Sequence, residues 1–174
     1  MSNGAPAAWF ADEIHDIDLR VLNAERGDHR FQTTWEALAL LVAVRAWKLD
    51  SHSGIKVALQ SDSLSALSAA AKMSSSSGAI RKVLCELALD QADLDSGHSS
   101  LVHIPGLANK WPDALSRLWE PRPQKFPNEL RGDPRTHVQP RTVDSFWRSL
   151  GAVGASPPSS MPLGRNRVIG PAIR

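Results

Sequence analysis

A chain of 174 residues with 42% hydrophobic and 22% charged side chains is long enough for one domain plus an extension, and its composition excludes intrinsic disorder of the body. The net charge of +2 is too small to define a partner, and the single cysteine, Cys85, excludes a disulfide framework or a cysteine metal site within one chain. With no run near the ~20 apolar residues of a membrane span and no leader-like start, the expected setting is cytoplasmic or nuclear, in a reducing compartment without a membrane partner.

In chain order, Ala8-Trp9-Phe10 and Ile17 to Leu22 read as strands, and Asn23 to Arg30 as a polar loop. Thr33 to Lys48 reads as a strongly apolar helix, with Trp35, Leu38, Leu41, Val42 and Trp47 interrupted only by Arg45. Ile55 to Ser61 alternates as a strand and ends at Asp62; Ser63 to Lys72 is an Ala/Leu/Ser helix. After a flexible run from Ser74 to Gly78, Ile80, Val83, Leu84, Leu87 and Leu94 recur at helical spacing over Ala79 to Asp95. Ser100 to Ile104 is a second short strand, Pro105-Gly106 a turn, and Lys110 to Leu118 a last helix. The order from residue 33 is helix, strand, helix, helix, strand, helix, which predicts an α/β sheet covered by helices.

Nine of the twelve prolines follow position 120, so the compact domain is expected over 1–119 and a Pro-rich, largely irregular tail over 120–174. Val143 to Leu150, with Phe146 and Trp147, is the one tail segment apolar enough to dock back as a helix. Residues 119–174 hold nine Lys/Arg against four Asp/Glu, leaving eleven against fourteen for the body. A basic tail suits a polyanion through counterion release, while a solvated tail of the same composition needs no partner.

Three carboxylates occupy positions where sites form in α/β sheets: Glu36 in the first turn of the first long helix, Asp62 at a strand end and Asp113 in the first turn of the last helix. Clustered carboxylates are the oxygen-rich set that Mg²⁺ or Mn²⁺ prefers. Each also has a plain structural reading. Glu36 closes a capping box that opens at Thr33, Asp62 caps the next helix, and Asp113 favours a helix dipole. If all three are caps, the chain is a helix-rich interaction module instead.

The segments Thr34-Trp35-Glu36-Ala37-Leu38-Ala39, Gln60-Ser61-Asp62-Ser63 and His103-Ile104-Pro105-Gly106-Leu107-Ala108-Asn109-Lys110-Trp111-Pro112-Asp113-Ala114-Leu115-Ser116-Arg117 resemble the ribonuclease H domain of gypsy-like and DIRS-like retroelement reverse transcriptases. The last is the most specific, and the resemblance covers roughly residues 7–119. It implies a ribonuclease-H-like α/β fold, a mixed sheet flanked by helices, and cleavage of RNA in an RNA–DNA hybrid as part of a reverse transcriptase. It also implies four carboxylates holding two divalent metals ~3.5–4 Å apart, with Glu36, Asp62 and Asp113 as three of the four. The fourth is a bridging Asp on an opening strand. Only 35 residues precede Glu36, so that strand is expected to be missing, the two-metal site incomplete and the chain a catalytically inactive or merely nucleic-acid-binding remnant. Asp12, Asp16 and Asp18 are not expected to substitute. His103 is read as structural, and Lys110 either meets a substrate backbone or lies solvated on a helix face.

Overall fold

The computed structural model describes residues 8–47, 58–93, 100–117, 125–150 and 167–169. They form a mixed α/β arrangement: β1 (Ala11–Glu13), α1 (Asp16–Leu22), α2 (Gln32–Ala46), β2 (Ala58–Ser61), α3 (Leu64–Lys72), α4 (Gly78–Asp93), β3 (Ser100–His103), α5 (Lys110–Ser116) and β4 (Arg167–Ile169), with short 3-10 turns between. From α2 to α5 the order is the expected helix, strand, helix, helix, strand, helix. Parts of the expected spans, Lys48, Ile55 to Val57, Leu94, Asp95 and Leu118, lie outside the described residues.

The α2 helix is the centre of the core. Trp35, Leu38, Leu40, Leu41 and Val42 are all buried, so apolar residues surround its axis, the signature of a helix enclosed by its neighbours. It packs against α3, α4 and β4. On α3, Ala66, Ala69 and Ala70 supply a small-residue face beside Leu67, and α4 contributes Ile80, Val83, Leu84 and Leu87. The serine run before α4 closes on itself: the Ser77 hydroxyl accepts from the Ile80 amide at 3.4 Å, satisfying an amide the helix start would otherwise leave open.

Two expectations are corrected. Ile17 to Leu22 is helix, not strand. Ile17, Leu19 and Val21 alternate like a strand, but the Asp18 carboxylate accepts from the His15 amide at 2.9 Å, as a helix N-terminus requires, and Asn23 ends the helix in the left-handed region at φ 49°. Asp18 also lies on the buried side with Leu22, so a charge occupies a position where periodicity calls for an apolar residue. Second, the strands form two two-stranded sheets among the described residues, where a single mixed sheet is expected. β2 and β3 pair in parallel, Leu59 opposite Leu101 and Ser61 opposite His103; β1 pairs antiparallel with β4, Asp12 opposite Val168.

Packing also continues well past residue 119. Leu130, Arg141, Phe146 and Trp147 are buried, and Trp9 bridges in parallel to Arg135. The segment at Val143 to Leu150 docks as expected, but as turns and a 3-10 helix at Arg148–Leu150. No helix among the described residues is long and apolar enough to cross a membrane.

Candidate functional site

Asp62 follows β2 directly. The parallel ladder runs one step beyond the strands, with the Ile104 amide donating to the Ser61 carbonyl at 3.0 Å, and this brings the Pro105–Ala108 turn alongside Asp62. A β-carbon placed on Gly106 would lie 3.7 Å from Asp62 Oδ2. Asp62 is exposed, and it does not cap α3: Ser63 does, its hydroxyl accepting from the Ala66 amide at 3.2 Å. The capping role expected for Asp62 is thereby transferred to its neighbour, because the Ser63 backbone is extended at φ −84°, ψ 95°, as an N-cap requires.

Glu36 loses its expected cap role too. The α2 helix begins at Gln32 behind Phe31, which makes no side-chain cap bond, so Thr33 is already inside the helix and no capping box forms there. The half-exposed Glu36 carboxylate instead accepts from Gln32 Nε2 at 3.2 Å, one turn back. Asp113 sits in the first turn of α5, where the helix dipole favours it, and binds Arg117 one turn on at 3.0 Å.

The Ile104–Asn109 loop thus connects the neighbourhood of Asp62 to the helix bearing Asp113, while Glu36 is engaged within its own helix. Among the described residues no three His, Cys, Asp or Glu side chains gather around a point that would hold a metal ion. Glu36, Asp62 and Asp113 are thus not gathered into such a group. The other early acids have partners: Asp16 binds Arg26 at 2.6 Å, while Asp12 and Asp18 both bind Arg141.

That last cluster is absent from the sequence reading. The Arg141 side chain is fully buried; it pairs with both carboxylates and donates to the Glu13 carbonyl at 2.6 Å. Trp147 Nε1 donates to Asp18 at 3.1 Å, and His15 Nε2 approaches Asp12 at 3.3 Å. Burial pushes the Asp18 carboxyl above its ordinary value, more strongly than Arg141, the His15 amide and Trp147 pull it down. At Asp12 burial acts upward too, but Arg141 and His15 outweigh it and hold that carboxyl below its ordinary value. A second cluster joins Arg45 to Glu86 at 2.9 Å and Asp90 at 2.6 Å, with Ser149 donating twice to Glu86. The signal available in sequence was the Phe146-Trp147 pair within the apolar patch from Val143 to Leu150.

No protein-family model, no curated protein and no solved structure matches the chain.

Proposed function

We propose that this chain is a ribonuclease-H-like domain of the retroelement reverse-transcriptase kind that binds an RNA–DNA hybrid without assembling a complete two-metal centre. The observation that carries the reading is the parallel β2–β3 pairing, which sets Asp62 beside Gly106 of the His103-Ile104-Pro105-Gly106 segment. Two motifs of the resemblance, separate in sequence, thus meet on one rim of an α/β unit, the usual place for a site. Asp62 and Glu36 carry no capping duty, so an interaction module in which all three carboxylates are caps is disfavoured. Asp12, Asp16 and Asp18, the acids nearest the expected bridging position, are each engaged by an arginine, which favours binding over cleavage.

A second reading, hydrolysis of the hybrid's RNA strand with Mg²⁺ or Mn²⁺ as cofactor, is favoured by the exposure of Asp62 and Asp113. An end-labelled RNA–DNA hybrid incubated with each ion, beside an Asp62→Asn control, separates the two. Retention of hybrid without cleavage is the expected result. Cleavage lost in Asp62→Asn supports the second reading, and failure to bind hybrid at all overturns both.

A further inference from the structure

We infer that the 125–137 segment, together with Trp9 and the start of α5, is a binding face for a single strand of nucleic acid, held by ring stacking and phosphate contacts. The inference builds on the nucleic-acid reading above and gives the packed tail a task that reading leaves open.

The face is continuous. At one end Lys110 lies 5.1 Å from the centre of the Trp111 ring and 3.4 Å from Glu129. A 3-10 turn over Asn128–Leu130, closed by the Leu130 amide on the Pro127 carbonyl at 3.1 Å, connects Glu129 to Phe126. Phe126 meets the Trp9 ring edge-on at 5.1 Å, and the Arg135 guanidinium lies over Trp9 at 5.6 Å. Trp9, Phe126 and Trp111 are each half-buried residues.

Its outward charge is positive. Lys110, Lys125, Arg131 and Arg135 are exposed, and neither Lys125 nor Arg131 has an ion-pair partner among the described residues. The two acids on the segment offset part of this charge, Glu129 by pairing with Lys110. One carboxylate oxygen of Asp133 is buried. Trp9 is fixed in place, its indole donating to the Asp133 carbonyl at 3.1 Å and its amide to the Pro134 carbonyl at 3.3 Å. Cations interleaved with rigid aromatic rings form the combination that binds single strands with little sequence preference, the rings stacking on bases and the cations tracking phosphates.

The test is fluorescence titration of the full chain with an oligothymidylate of about 15 nucleotides across a salt series. Lys125→Ala/Arg131→Ala should lower the slope of log affinity against log salt by about 1.4, at about 0.7 per phosphate contact on a single strand. Phe126→Leu keeps an apolar side chain against Trp9 and should weaken binding roughly fivefold or more by removing a stacking surface. Thermal melts establish that both variants fold. An unchanged slope in the double variant, equal binding of polyglutamate, or no binding of the oligonucleotide by the parent chain would overturn the inference. The two proposals separate cleanly. Hybrid bound while single strand is ignored sinks this one alone, and single strand bound while hybrid is ignored sinks the hybrid-binding reading alone.

Discussion

Arg141 and Asp18 form a fully buried ion pair across 123 residues of sequence, with Trp147 donating to the other Asp18 oxygen. The pair fixes a proline-rich segment against the first helix of the body. On the far side of the same segment Arg45 ties Glu86 and Asp90 to the Phe146 carbonyl, and Arg148 also binds Asp90. The Phe146 ring centre lies 4.7 Å from the Arg45 guanidinium and 5.8 Å from that of Arg141. The 125–150 segment is therefore part of the folded body, held by buried charge as much as by its few apolar side chains.

Buried pairs are costly to break because the remaining charge keeps its desolvation cost and loses its partner. Arg141→Met leaves Asp18 without its cation and should cost about 3–5 kcal/mol in urea unfolding with little change in slope. A cost under about 1 kcal/mol would show that the segment detaches without unfolding the body.

The two Arg141 partners also set opposite pH dependences. Asp12 sits below its ordinary value of 3.8, so it binds fewer protons in the folded chain than in the unfolded one, and its stabilisation is present above 3.8 and lost as pH falls through the folded value. Asp18 sits above 3.8, so its contribution is favourable at low pH and is lost as pH rises through its raised value. Asp12→Asn should therefore flatten the fall in melting temperature below pH 3.8, and Asp18→Asn should flatten the change above it. Melts from about pH 2.5 to about pH 6 check both, with an unaltered acid limb in Asp12→Asn counting against the Arg141 clamp.

At the candidate site, capping and chemistry fall on adjacent residues and can be tested apart. Ser63→Ala removes the hydroxyl that accepts from the Ala66 amide and should cost about 1 kcal/mol. Asp62→Asn touches no helix bond and should change stability by less than about 0.5 kcal/mol. If Asp62→Asn proves the more damaging in urea titrations, Asp62 has a structural duty after all.

The middle of the fold is legible in sequence because its signals are local. The apolar residues of α2 and α4, the alternation ahead of Asp62 and the Pro-Gly turn each declare an element without reference to distant residues. What escapes is whatever depends on distant pairing. The β1–β4 ladder joins opposite ends of the chain, and α1 hides its period because Asp18 occupies a buried position made tolerable only by Arg141 and Trp147. As candidates, Asp62, Glu36 and Asp113 stand out by residue type and position. Which of them cap does not, since the start of α2 at Gln32 and the hydroxyl geometry of Ser63 are decided within a single turn.

Gly106 gives the last prediction, and it separates turn geometry from space at the site. In the sequence pattern this glycine reads as a turn requirement, yet among the described residues the positive-φ positions are Asn23, Gly27 and Met73. Its backbone is one that any residue adopts. A β-carbon there would make only an ordinary contact, 3.7 Å from Asp62 Oδ2. Gly106→Ala should then hold or raise stability, by up to about 1 kcal/mol, because alanine narrows the unfolded ensemble without straining the folded one. If the same variant keeps its melting temperature and loses hybrid binding, the glycine keeps space open beside Asp62 for the ligand. A clear fall in melting temperature would mean instead that the loop cannot accept a side chain at this point, and that its close approach to Asp62 belongs to the fold.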